Sequence, residues 1–187
     1  MNRKELIKNL KPCSALMSEE QYWDIIISSL EHSDDQSEQY ECIVKSLEKL
    51  SLEEIIGFAL TTSHLTNEIY TSHMWCAGYI MNGGCSDDGF IDFRNWVVSR
   101  GKEVYYAAKA NPDSLINEVD VAEDEYAGFE EFGYVAGAVF DKATGVKIYD
   151  YIDSPIKYNL DITFDWDDDD EESMRVICPQ LYAYYDE

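Results

Sequence analysis

The sequence predicts a mostly α fold, a single-domain helical bundle around a central buried helix. Three observations predict it. Apolar residues recur at helical spacing through the first hundred positions. Capping residues stand at the heads of those runs. The stretch SHMWCAGYIMNGG, residues 72–84, is apolar nearly all round, as a helix enclosed by its neighbours would be.

In chain order, Arg3–Leu10 reads as a short helix stopped before Pro12, within an N-terminal extension over 1–17. The helical body spans 18–143. Ser18 with Gln21 makes a capping-box pattern, followed by Trp23, Ile26, Ile27 and Leu30 on one helical face. HSDDQSEQ turns the chain, and Tyr40, Ile43, Val44, Leu47 and Leu50 repeat the spacing. Ser51 with Glu54 is a second capping box and opens a helix over Leu52–His64.

After the central apolar helix, the stretch MNGGCSDDGF (81–90) has two readings. In the structural one, Asn82-Gly83-Gly84 ends a helix and Ser86 caps the next. Asp87 and Asp88 then complement the positive end of its dipole. Phe90, Phe93, Trp96 and Val97 continue that helix to Gly101, so Trp75, Tyr79, Phe90, Phe93 and Trp96 are expected in the core. In the functional reading, Asp87 and Asp88 bind a metal or act as a general base, with Arg94 as an anion clamp. Cys85, near a helix N-terminus, would have a lowered pKa and act as a nucleophile. The structural reading is the stronger, because a cysteine nucleophile needs a base and the chain has three histidines. His32 sits in a polar turn, and nine residues separate His64 from His73.

The second half is less regular. Asn111-Pro112-Asp113-Ser114 breaks a helix, and Glu123–Lys142 reads as another, with Thr144-Gly145 as its stop. Val146–Tyr151 alternates as a short strand would, and Tyr158–Trp166 is able to pair with it in a small β-hairpin. A helix over Asp169–Ile177 should be interrupted at Cys178-Pro179, leaving a last aromatic turn. Residues 144–187 thus form an acidic C-terminal segment.

The 187 residues hold 38 acidic and 14 basic side chains, a formal net charge of −24. The imbalance is uneven. Residues 1–110 carry 17 acidic and 10 basic residues, a net −7, and residues 111–187 carry 21 and 4, a net −17. Such a field repels nucleic-acid phosphate and anionic membrane surfaces, so direct binding to either is not expected. The uncharged run between Glu68 and Asp87 contains His, Asn, Gly and Thr and does not read as a membrane span. No secretory signal follows the opening MNRKELIKNLKP. Five cysteines (13, 42, 76, 85 and 178) without a CxxC pair suit reduced thiols in a cytoplasm. With 13% aromatic residues the chain has the material for a packed core.

The run from Tyr70 through the NPDSL segment (111–115), with Phe93-Arg94-Asn95-Trp96 at its centre and Gly133-Tyr134-Val135-Ala136 further on, resembles the bacterial domain-of-unknown-function family 4240. The likeness covers roughly residues 20–183. It implies a mostly helical bacterial domain and carries no catalytic residues with it.

Asp165–Glu172 invites a calcium reading. A loop starting at Asp165 puts acids at positions 1, 3 and 5, but Asp170 where glycine belongs and Val176 where the bidentate glutamate belongs. Starting at Asp161 puts Trp166 at the glycine position. A solvated acidic first turn accounts for the run better, and neither a metal nor a cofactor is expected. Three function classes remain. The first is an acidic interaction protein that binds a basic protein partner, an immunity protein neutralising a toxin or a nucleic-acid mimic. Its contacts would be Glu123, Asp124, Glu125, Glu130, Glu131, Asp167, Asp168, Asp169, Asp170, Glu171 and Glu172, beside Tyr182, Tyr184 and Tyr185. The second is an enzyme using the Asn82–Arg94 corner, and the third an accessory or regulatory domain.

Overall fold

The computed structural model describes residues 7–121, 126–153 and 162–186. The expected Glu123, Asp124 and Glu125 contacts, the first residues of the Arg3–Leu10 helix and the first four residues of the Tyr158–Trp166 arm of the hairpin lie outside them. The protein is mostly α: nine α-helices and two 3-10 helices, with no sheet among the described residues. Its contacts divide the chain into two compact units, Met1–His64 with Glu131–Lys157 and Leu65–Glu130 with Tyr158–Glu187.

The first unit contains α1 (Glu19–Glu31), α2 (Gln36–Leu47) and most of α3 (Leu52–Glu68). Ser18 caps α1 by accepting from Gln21 N, and Asp35 caps α2 by accepting from Glu38 N. Ser51 and Glu54 form the full reciprocal box: Ser51 N donates to the Glu54 carboxylate at 2.8 Å, and Glu54 N to Ser51 Oγ at 3.2 Å. Hydrogen bonds to the Glu54 carboxyl from the Ser51 backbone N–H, then the Ser51 hydroxyl and the Gln21 side chain, hold it below the usual carboxylate range.

Trp23 and Ile26 are buried as expected, but the buried stripe of α1 is completed by Tyr22 and Ser29, while Ile27 is 41% exposed and Leu30 only half-buried. Tyr22 turns the helix. Its ring lies 4.7 Å from that of Phe58, and its hydroxyl meets Thr62 Oγ1 at 2.9 Å. The extended segment before Ser18 runs close along α3 at Gly57, where Met17 N donates to Gly57 O at 3.2 Å. A Cβ at Gly57 would stand 3.2 Å from Met17 N, so only glycine leaves this approach free.

α7 (Glu130–Thr144) lies mostly in the first unit and stops at Gly145, φ +79°, as its Thr144-Gly145 pair predicts. It starts seven residues later than Glu123. Ala127 N is taken by the Asn82 side chain and Phe129 N by Asp92 O, so residues 127–129 cannot supply a helical turn. The strand expected over Val146–Tyr151 is instead a 3-10 helix at Ile148–Tyr151. The Asp141 carboxylate accepts from Ile148 N at 3.2 Å and pairs with Lys147, which folds the segment back. Just after this turn, Ile152 makes an isolated parallel bridge with Cys13. Within the expected helix before Pro12, residues 7–9 form a bend and turn.

The second unit is built around α4 (Ser72–Met81), in which Met74, Cys76, Ala77, Gly78, Ile80 and Met81 are buried. α4 packs against α5 (Asp87–Ser99), a 3-10 helix at Pro112–Val121, α8 (Glu171–Ile177) and α9 (Pro179–Tyr185). α6 (Lys102–Ala110) packs on α5 and on the 3-10 helix, after a turn at Gly101 with φ +95°. Phe90, Phe93 and Trp96 are core as expected, whereas Trp75 and Tyr79 are only half-buried. α8 begins at Glu171, two residues after the expected start, and Cys178-Pro179 separates it from α9.

α9 has no capping side chain of its own. The buried carboxylate of Asp113 substitutes, accepting from Gln180 N (2.9 Å), Leu181 N (3.0 Å) and Gln180 Nε2 (3.0 Å).

Candidate functional site

The corner at residues 82–94 joins α4 to α5. Gly84 N donates to Tyr79 O at 2.8 Å and Gly83 N to Ile80 O at 3.4 Å, the paired bonds of a Schellman motif, with Gly83 at φ +61°. Ser86 then caps α5, accepting from Gly89 N at 3.1 Å. Asp87 and Asp88 are exposed in its first turn, where they face the positive end of the helix dipole.

Arg94 is not a solvent-facing anion clamp. It is 4% exposed, donates from Nε to Phe90 O (3.2 Å) and from an Nη to Thr66 O (3.0 Å), and lies 4.8 Å from the centres of the Tyr70 and Phe90 rings. It ties the end of α3 to α5. Cys85 also departs from the expectation of an activated thiol. Burial pushes its pKa up to about 11; Arg94 opposes this, while Asp87 and Asp92 reinforce it. Burial outweighs the helix end, and the thiol stays protonated at neutral pH. The corner thus holds a protonated thiol, two solvated carboxylates and an arginine committed to backbone carbonyls. That arrangement suits a packed joint better than a reaction centre.

The acidic run is organised differently. Asp167–Glu172 are all exposed. Asp167 N donates to Ser173 Oγ at 3.0 Å, the Ser173 hydroxyl donates to Asp170 O at 2.6 Å, and Asp169 N donates to the Asp167 carboxylate at 3.0 Å. One carboxylate oxygen each from Asp167, Asp168 and Asp169 lie within 4.8 Å of one another. These three are the described carboxylates that could share a cation, though the spacing is not that of an EF-hand loop. Glu130 and Glu131, at the start of α7, are also exposed.

Upstream of this run, residues 164–166 lie on the outer face of α4. Asp165 accepts from Ser72 Oγ at 2.6 Å and pairs with His73 Nε2 at 2.7 Å. Trp166 Nε1 donates to Ser72 O at 3.0 Å. The Ser72 and His73 bonds hold the Asp165 carboxyl below its usual range. Further along α4 the Tyr79 hydroxyl donates to Asp168 at 3.3 Å, and burial followed by the Asp168 charge raises its pKa. Sequence reasoning missed this cluster: its halves stand some ninety residues apart, and nothing local in either points to the other. Among the C-terminal tyrosines, Tyr182 is buried under Arg175, whereas Tyr184 is exposed.

No helix among the described residues is long and apolar enough to cross a membrane. No curated protein and no solved structure matches the chain. A family model does, over residues 17–142, and takes in α1–α6, most of α7 and the entire Asn82–Arg94 corner. The chain therefore belongs to the family described as "Protein of unknown function (DUF4240)".

Proposed function

We propose that this is an acidic interaction protein that binds a cationic protein partner, as an immunity protein neutralising a basic toxin or as a nucleic-acid mimic would. The observation that carries the reading is the Asp167–Glu172 run: exposed throughout, yet fixed by the Asp167, Ser173 and Asp170 hydrogen bonds. A run whose backbone is already ordered, and in which Asp169 N holds the Asp167 carboxylate and Tyr79 that of Asp168, loses less conformational freedom on binding, and the net −17 of residues 111–187 steers a basic partner toward it. Glu130 and Glu131 are further exposed carboxylates for such a partner, and the exposed Tyr184 would offer it an aromatic contact.

The enzyme reading of the Asn82–Arg94 corner draws no comparable support, since Cys85 is protonated and Arg94 is buried. The test is the association rate between the purified chain and a basic protein captured on it at low salt, measured over a salt series. Replacing Asp167, Asp168, Asp169 and Asp170 together with Asn should slow association and flatten its salt dependence, because screening acts over about 8 Å at physiological ionic strength. An unchanged rate would reduce the run to a solvated face. Capture of nothing basic would favour an accessory domain.

A further inference from the structure

Beside the acidic run lies an aromatic face assembled from two distant segments. α4 contributes Trp75 and Tyr79, one turn apart, and residues 164–166 contribute Phe164 and Trp166. Phe164 stands edge-on between Trp75, at 5.3 Å and 80°, and Trp166, at 5.6 Å and 88°. Tyr79 follows 5.4 Å from Trp166. Inward, Trp75 stacks on Phe90 at 4.2 Å, so the face is backed by the core. Trp75, Tyr79 and Trp166 are half-buried, and Phe164 is 45% exposed. The face is held in place by the Trp166–Ser72 and Tyr79–Asp168 hydrogen bonds and by the Asp165 contacts.

We propose that this aromatic face receives an arginine side chain of the cationic partner, so the inference rests on the reading above. Apolar rings left in water beside fixed carboxylates suit a cation with a flat, weakly hydrated surface. Guanidinium stacks on an aromatic ring while its N–H groups reach a carboxylate, whereas ammonium is a compact, strongly hydrated charge. Asp165, Asp167 and Asp168 supply the carboxylates along the same chain segment. The same chemistry occurs inside this unit. Arg175 lies 4.7 Å from the Tyr182 ring centre while pairing with Glu172 (3.5 Å) and Asp186 (3.6 Å).

The experiment titrates the full chain with two peptides of equal length and charge, one with arginines and one with lysines at the same positions, following tryptophan fluorescence at fixed ionic strength. The arginine peptide should bind about two- to fivefold more tightly, the scale of an exposed cation–π contact. Phe164→Leu, which keeps an apolar side chain without the ring, should shrink that preference, and Phe164→Tyr should retain it. Replacing Asp167–Asp170 with Asn should weaken both peptides alike. Equal affinity for the two peptides, or a preference untouched by Phe164→Leu, overturns the arginine assignment while leaving the cationic-partner reading in place. If neither peptide binds at low salt, that reading falls, and the arginine site with it.

Discussion

Asn82 and Ala127 are joined in both directions: the Asn82 side-chain amide donates to Ala127 O at 3.2 Å and accepts from Ala127 N at 2.8 Å. The amide presents one donor and one acceptor side by side, as a peptide group does, and so pins a buried residue 45 positions away. This gives the first residue of the Asn-Gly-Gly turn a job beyond ending α4.

Asn82→Ala should therefore cost about 1–3 kcal/mol, because it strands two backbone groups at a buried position. Asn82→Asp keeps the acceptor but turns a carboxylate oxygen toward Ala127 O, and should not restore wild-type stability. Denaturant unfolding of both variants checks this. If Asn82→Ala unfolds at the wild-type midpoint, the clasp contributes nothing.

Gly78 and Phe93 meet where α4 crosses α5. A Cβ on Gly78 would stand 3.0 Å from Phe93 Cδ1, so the fully buried Phe93 ring would have to shift within the core. Gly78→Ala should thus lose stability, even though alanine is favoured over glycine in a helix by about 1 kcal/mol. Phe93→Ala alone should cost roughly 3–5 kcal/mol. The pair should be non-additive, with Gly78→Ala less harmful once the ring is gone. A double-mutant cycle by thermal unfolding measures the coupling; simple additivity would mean the two do not touch.

Aspartates with different surroundings should differ in worth. Asp113 is buried and accepts three hydrogen bonds at the head of α9, so Asp113→Ala should cost about 1.5–3 kcal/mol. Asp87→Asn or Asp88→Asn should cost at most about 1 kcal/mol, and Ser86→Ala about 0.5–2 kcal/mol. Unfolding midpoints rank the four. A large loss at Asp87, or divalent-metal binding removed by Asp87→Asn in calorimetry, would return the corner to the list of reaction sites.

The Cys85 thiol should alkylate slowly at pH 8 and accelerate only as the pH approaches about 11, where it ionises in the folded state. The sign for stability follows. The folded pKa is raised above the unfolded value of about 8.5, so this contribution is present in full below pH 8.5. It is lost as the pH rises toward about 11, because the unfolded thiol ionises first. Iodoacetamide labelling followed by mass spectrometry across pH 7–11 tests it, with Cys85→Ser as the control for assignment. Rapid labelling of Cys85 at pH 7 would contradict the burial.

Much of the fold was legible because its signals are local. The Ser51-Glu54 box, the Ser18 and Ser86 caps, the Gly83-Gly84 turn, the stop at Gly145 and the break at Pro179 depend on hydrogen bonds and dihedrals spanning a few residues. Those are set by the side chains on the spot, whatever surrounds them. What only the tertiary structure decided depends on groups far away in the chain. Thr62 and Phe58 rotate the buried face of α1 toward Tyr22, Asp141 folds Val146–Tyr151 into a 3-10 turn, and Thr66 draws Arg94 inside. Ser72 and Asp165, 93 residues apart, bring aromatic rings and carboxylates from two distant segments onto one face of α4. Periodicity tells which residues share a face but not what that face meets, because burial energy is paid by whichever partner the whole chain brings there.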